Sequence, residues 1–235
     1  MSSAAPAQLD HLVVAASTLE QGLAWCEAML GVTPGPGGEH ALFGTHNRLL
    51  RLRCAGAPNA YLEIIAIQPG KKPTRPAPYK RWFDLDDTTL QARLAKHGPQ
   101  LIHWVASVPD LAGALESWRS MGIDRGSALA ASRPTPTGLL QWHISVREDG
   151  QRLFNGALPT LIQWGDTHPA HAMPDNGIDL IRLTLGHPEA PLLREALNGI
   201  GLTDLPMSTS APALQAELHT PRGPITMTSL TDTTA

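Results

Sequence analysis

The sequence predicts an α+β fold: paired β-α-β-β-β units whose strands form a curled mixed sheet around a cleft, plus a partial third β-α-β-β unit. Three observations predict it. One pattern occurs three times, as LDHLVVAASTLEQGLAWCEAMLGV, LIHWVASVPDLAGALESWRSMGI and IDLIRLTLGHPEAPLLREALNGIGL. Each is an apolar strand-like run, a polar break, about three turns of helix, then a glycine and an apolar residue. The spacing repeats too: His11 lies 20 residues before Gly31, His103 lies 19 before Gly122, and Arg182 lies 19 before Gly201. Finally, 21 Gly and 21 Pro in 235 residues punctuate the chain too often for a helical bundle, and suit many turns between short strands.

The first unit, residues 8–67, opens on LDHLVVA, runs through a helix to Gly31, and continues in strands His40–Phe43, Arg48–Arg53 and Tyr61–Ile67. A connector, 68–100, holds the Pro- and Lys-rich PGKKPTRPAP and then RWFDLDDTTLQARLAKHG. There Asp87 or Thr88 caps a short helix ending at Gly98. The connector is long enough to act as a lid. The second unit, 101–165, opens on LIHWVAS, runs through a helix to Gly122, and adds strands Ser127–Ala131, Leu139–Val146 and Leu158–Trp164. The partial third unit, 178–230, has a strand Ile178–Leu185 and a helix Ala190–Asn198. Strands Leu214–Thr220 and Pro224–Leu230 follow, meeting at a Pro221-Arg222-Gly223 turn.

Composition narrows the function classes. Hydrophobic residues make 42% and charged residues 17%, a globular balance. A net charge of −3 implies no basic face, which argues against nucleic acid as a partner. No stretch approaches the roughly 18 apolar residues of a membrane span. MSSAAPAQ has neither the basic region nor the apolar run of a signal peptide. Cys26 and Cys54 lack zinc-finger spacing and read as buried thiols in a reducing compartment. The expectation is a cytoplasmic protein whose partner is a small molecule.

Strand alternation puts His11 on one face with Leu9 and Val13, and His103 on one face with Leu101 and Val105. An imidazole on an apolar face is costly unless paired or bound. Glu63 interrupts YLEIIA in the same way, and Gln163 matches it when Leu62-Glu63-Ile64 is laid on Ile162-Gln163-Trp164. A buried carboxylate needs a cation or strong hydrogen bonds. A divalent metal shared with the histidines would meet that need; solvent, or pairing with Arg48 or Arg51, is the plainer alternative. His46 precedes a strand and is a candidate for substrate contact, whereas His40 reads as exposed. His143, with Gln141 and Ser145, lies on a polar strand face that lines a cavity or faces solvent. Trp104, Trp142 and Trp164 are core or the walls of an apolar pocket. Arg182 replaces the histidine in the third unit and suits a carboxylate. His168 and His171 in THPAHAMP lie in a proline-bounded loop with no intervening Glu, and suit a lip or structural role.

LDHLVVA, then GTHNRLL, then YLEIIA at these distances resemble the glyoxalase-like domain family of the vicinal oxygen chelate superfamily, which includes glyoxalase I, extradiol dioxygenases and bleomycin-resistance proteins. The resemblance implies that His11 and His103 occupy first-strand metal-ligand positions and that Glu63 occupies a last-strand ligand position with a catalytic role. Gln163 falls where many members have Glu; it can ligate through its carbonyl oxygen but cannot act as a base. The implied protein is a divalent-metal isomerase or lyase, using Zn(II), Ni(II), Mn(II) or Fe(II), that chelates a small organic substrate through two oxygens. His46, His143, Trp104 and Arg182 would contact that substrate. Two alternatives stay open: an Fe(II) dioxygenase of the extradiol type, since two His and one carboxylate suit that metal, and a metal-free small-molecule binder. The resemblance also leaves a homodimer open.

Overall fold

The computed structural model describes residues 6–135 and 138–229. The apolar run LDHLVVA lies within β1 (Gln8–Ala15), where Leu12 and Val14 face one side and Val13 and Ala15 the other. Thr18, three residues after the strand ends, caps α1 (Leu19–Leu30), its side chain accepting from the Gln21 amide. Gly31 closes that helix with φ 76°, a left-handed conformation that favours glycine, and its amide donates to the Glu27 carbonyl. Gly122 and Gly201 take the same sign of φ (78° and 86°) after the second and third repeat helices.

Three strands complete the first unit: β2 (Glu39–His40), β3 (Thr45–Arg51) and β4 (Tyr61–Ile67). The expected His40–Phe43 strand shrinks to two residues because the chain turns back at once, the Phe43 and Gly44 amides both donating to the His40 carbonyl. The connector carries α2 (Thr88–His97), capped by the Asp87 carboxylate through the Leu90 amide. The second unit follows as β5 (Gln100–Ser107), α3 (Leu111–Ser120), β6 (Ser127–Thr135), β7 (Gly138–Val146) and β8 (Thr160–Trp164). The third comprises β9 (Asp179–Gly186), α4 (Ala190–Gly199), β10 (Met207–Ser208), β11 (Leu214–Thr220) and β12 (Gly223–Thr228). β10 is an addition to the expected β-α-β-β pattern, and Leu230, expected to end the last strand, lies outside the described residues.

The first two units share one eight-stranded curled sheet, ordered β2-β3-β4-β1-β5-β8-β7-β6. Read outward from its centre, each half runs first strand, last strand, then the two between. β1 and β5 meet antiparallel, while each pairs in parallel with the last strand of its own unit. Period-two alternation then divides the apolar residues between two faces. Leu12, Val14, Leu62, Ile64, Trp104, Ala106 and Leu161 pack under the helices. Val13, Ala15, Ile65, Val105, Trp142, Ile144 and Ile162 line the concave side. The connector fills that concavity: Trp82, Phe83, Leu85, Leu90 and Leu94 are buried in it. It is therefore a packed plug at these residues rather than a loose flap.

The third unit forms a separate four-stranded sheet, β10-β9-β11-β12, whose inner face (Leu183, Leu185, Leu214, Ala216, Leu218) joins the helix-side core. Trp118 of α3 donates through Nε1 to the Ala196 carbonyl of α4 at 2.7 Å. No described helix is long and apolar enough to cross a membrane.

The β1–β5 ladder has two irregularities that matter for function. Leu9 pairs with Ala106 and His11 with Val105, so Asp10 is an extra residue on β1. Val13 pairs with His103 and Val14 with Leu101, so Ile102 is an extra residue on β5. Such bulges re-aim side chains that strict alternation would send elsewhere.

Candidate functional site

The bulge at Asp10 sets up the first contact. In a regular strand Asp10 and His11 would point to opposite faces. Here the Asp10 carboxylate reaches back to the neighbouring ring, and His11 Nδ1 donates to Oδ1 at 2.7 Å. Asp10 is 1% exposed, and each oxygen is occupied: Oδ2 accepts from Trp164 Nε1 at 2.7 Å and from His168 Nε2 at 3.2 Å. Burial alone would raise the Asp10 carboxyl, but hydrogen bonds from His11 and His168 outweigh it and hold the group well below the ordinary carboxylate range. An ionised Asp10 accepts only, so His11 keeps a proton on Nδ1 and turns Nε2 away from it. That nitrogen lies 3.7 Å from Glu63 Oε2.

Glu63 reaches the same point because β1 and β4 run in parallel with Val13 beside Glu63, on the concave face. Its other oxygen, Oε1, accepts from Asn47 Nδ2 at 2.6 Å. Asn47 is held in turn: its Oδ1 accepts from the Gly38 amide at 2.7 Å, and its Nδ2 lies 3.4 Å from His40 Nε2. His40 passes the chain on to Thr45 Oγ1, 3.0 Å from Nδ1. Burial raises the Glu63 carboxyl above the ordinary glutamate range, opposed by the His11 charge and the Asn47 hydrogen bond and aided by Asp10. Tyr61 stacks on His11 with ring centroids 4.5 Å apart, holding the ring flat against the strand.

These groups border a cavity of about 30 Å³, space for one or two water centres. Its walls are mixed. His11, Glu63, Asn47 and His40 supply polar atoms, Leu140, Trp142, Ile144 and Ile162 supply apolar ones, and Trp82 and Arg133 stand at the connector and at β6. A wider groove of about 500 Å³ shares His40, Trp82, Arg133 and Trp142 with it.

Of the four residues expected to hold a metal, the structure brings two together, His11 and Glu63. His103 lies in the protein interior with both nitrogens occupied. Nδ1 is 3.1 Å from the Gly156 carbonyl, and Nε2 accepts from the Thr160 amide at 3.1 Å. Burial and the charges of Arg125 and Arg152 push His103 well below the usual histidine range, as a neutral structural ring requires. Gln163 points to the helix side. Its Oε1 accepts from the Leu111 amide at 2.9 Å, in the first turn of α3. Strand pairing gives Glu63 a different counterpart: Val13 lies beside Glu63, and Val105, its equivalent in the second unit, lies beside Thr160. Gln163 is three residues further on, and an odd offset exchanges faces. Among the described residues no group of three His, Cys, Asp or Glu side chains is arranged to hold a metal. The four-residue set thus does not fit a metal centre here.

The expected substrate contacts lie elsewhere as well. Trp104 is fully buried under the helices and donates to the Ala157 carbonyl. His143 is exposed on the convex side of β7, since its neighbour Trp142 takes the inner face. Arg182 is exposed on β9. His46 is half-buried on the outer side of β3, because Thr45, Asn47 and Leu49 take the inner one. The residues that do surround Glu63 and His11 include four the sequence did not single out for the site: Asp10, Asn47, Tyr61 and Arg133. Asn47 was legible through alternation with Leu49. Asp10 was not, because a bulge leaves no local sequence mark. His40, expected to be exposed, is half-buried at the cavity wall. His168, read as a lip or structural residue, reaches the site through Asp10, sharing Oδ2 with Trp164.

The sequence matches the model of a glyoxalase-like domain over residues 9–201. None of the curated proteins matches it. Among solved structures, a hypothetical protein from Staphylococcus aureus shares 12% identity, covering 95% of this chain and 88% of that one, with a TM-score of 0.55. A methylmalonyl-CoA epimerase of Streptomyces coelicolor shares 17% identity, covering 70% of this chain and 99% of that one, at a TM-score of 0.43. The epimerase of Mycobacterium tuberculosis shares 17%, covering 70% and 91%, at 0.37. At such identities the first of these likenesses speaks for the fold alone, and the two epimerases carry no further weight.

Proposed function

Because the chain belongs to the glyoxalase-like domain family, we propose that it is an isomerase or lyase that moves a proton at a carbon next to a carbonyl of a small organic substrate. Glu63 is the proton carrier. His11, backed by Asp10, faces the charge that develops on the substrate oxygen. One observation carries this reading: the buried chain Asp10–His11–Glu63–Asn47 ends at a cavity wall. A general base works best when its pKa is near the working pH, and burial raises Glu63 in that direction. Asn47 holds one carboxyl oxygen and leaves the other free to face substrate. Asp10 fixes the His11 tautomer and steadies an imidazolium. The apolar wall of Trp142, Ile144 and Ile162 limits water to one or two positions, and the low local polarity strengthens each of these interactions.

Metal dependence, expected from the resemblance, has two donors available in the cavity, His11 Nε2 and Glu63 Oε2. No step above runs through a metal.

The test is solvent exchange. Candidate small ketones, aldehydes and oxo acids are incubated with enzyme in D₂O, and the proton next to the carbonyl is followed by NMR. Exchange of a defined substrate, reduced about 100-fold or more in Glu63→Gln, supports the assignment. Exchange that is unchanged in Glu63→Gln would falsify it. Metal content of the wild type, compared with His11→Ala, then reports whether the two donors hold an ion.

A further inference from the structure

The concave side holds two groups that only donate and that the scheme above does not use. Arg133 is half-buried on the inner face of β6, and it borders both the small cavity and the wider groove. Its guanidinium makes no hydrogen bond to a described residue. Its seat is built: a side chain at Gly38 would collide with the guanidinium. Trp82, 5% exposed, borders the same two spaces, and its buried indole Nε1 has no hydrogen-bond partner. Stacking between Phe43 and Phe83 fixes its ring. A buried donor left unpaired is unfavourable unless a ligand completes it. The Glu63 carboxylate favours the charged guanidinium through space, but its contacts are to Asn47 and His11, so Arg133 is open to an acceptor on a ligand.

We propose that Arg133 and Trp82 Nε1 together form a carboxylate-binding subsite, so that the substrate is a small carboxylic acid. Its anionic end is held at the mouth of the cavity and its reacting carbon faces Glu63. A guanidinium fork matches the two oxygens of a carboxylate, and the indole N–H adds a third donor. The walls of Trp142, Leu140 and Ile144 suit a short apolar body. The substrate class rests on the functional reading of Glu63, whereas the anion subsite stands apart from it.

The experiment compares isosteric acids and amides. Acetate, propionate, isobutyrate and benzoate, each beside its neutral amide, are titrated at pH 7 into ¹⁵N-labelled protein and followed by amide and indole NMR shifts. Methyl phosphate is the control anion. The wild type is expected to prefer at least one acid over its amide by tenfold or more, with the Trp82 indole resonance moving on binding. Arg133→Gln should erase the preference, and Arg133→Lys should keep part of it. Trp82→Phe, which preserves the stack, should weaken the acid several-fold. Far-UV circular dichroism establishes that each variant is folded. The proposal is overturned by equal binding of acids and amides, by no acid binding to the wild type, by a preference that survives in Arg133→Gln, or by methyl phosphate binding more tightly than every acid. Glu63→Gln separates the two readings. Acid preference retained there while proton exchange never depended on Glu63 would leave the subsite standing and remove the catalytic assignment.

Discussion

Glu63 carries its proton at the expense of stability. Its carboxyl is raised on folding, chiefly by burial. For a carboxylic acid raised in the folded state, the native state is favoured below the unfolded pKa, about 4.3. That advantage is lost as pH rises toward the folded value. Glu63→Gln keeps an acceptor for Asn47 and removes the ionisation. The variant is therefore expected to unfold at higher temperature than wild type at pH 8, with the gap closing near pH 4. Melting curves at both pH values check it. Asp10 works in the opposite sense. Its folded pKa is depressed by His11 and His168, so its contribution is present above about 3.9 and fades as pH falls below that. Asp10→Asn should be markedly destabilised at pH 7, and the difference from wild type should narrow in urea melts at pH 3. His103 shows the third kind of buried polar residue. His103→Ala leaves the Thr160 amide and Gly156 carbonyl unpaired. It should lose about 2–4 kcal/mol of stability in urea denaturation while proton exchange by the folded fraction persists.

At the scale of elements, alternation explains most of what the structure does and bulges explain the rest. Asn47 rather than His46 faces Glu63 because β3 pairs antiparallel with β4, Leu49 lying beside Glu63, and inner residues recur every second position. His103 sits at a bulge, and the counterpart of Glu63 on β8 is Thr160, with Gln163 on the far face. Two repeats of similar sequence thus give unequal sites. Only the first half of the sheet presents an imidazole and a carboxylate to the cavity. The connector belongs to this scale as well. Leu90 and Leu94 of α2 sit in the concave core. Leu90→Ala should cost about 2–4 kcal/mol, and removal of the Asp87 cap about 1 kcal/mol, both read from chemical denaturation.

For the whole molecule, the helix-side core runs without a break from Leu12 and Trp118 to Leu193 and Leu214. The third unit is therefore not an appendage. It covers surface that the first two units would otherwise expose, and Trp118 depends on α4 for its indole partner. Ending the chain at residue 177 should give a protein without a cooperative thermal transition, whereas the full chain should melt as one unit; calorimetry distinguishes them. The bidentate Arg53–Asp179 pair also joins the third unit to the first, at 2.6 and 2.9 Å. It is half-exposed and screened by solvent, so a double-mutant cycle should return little coupling.

The sequence by itself determined the repeated β-α-β-β-β units, the helix cap at Gly31, a second cap at Asp87 or Thr88, and the presence of Glu63 and His11 within otherwise apolar strands. Those features depend on local periodicity, on backbone conformation and on neighbours a few residues away. Only the tertiary structure decided that Asp10 turns onto the face of His11, that His103 and Gln163 are spent on structural hydrogen bonds, and that Arg133 and Trp82 reach one cavity from β6 and the connector. The physical reason is register. A single extra residue in a ladder exchanges faces, and the pairing that creates it joins residues about 90 positions apart, a separation that no local pattern encodes.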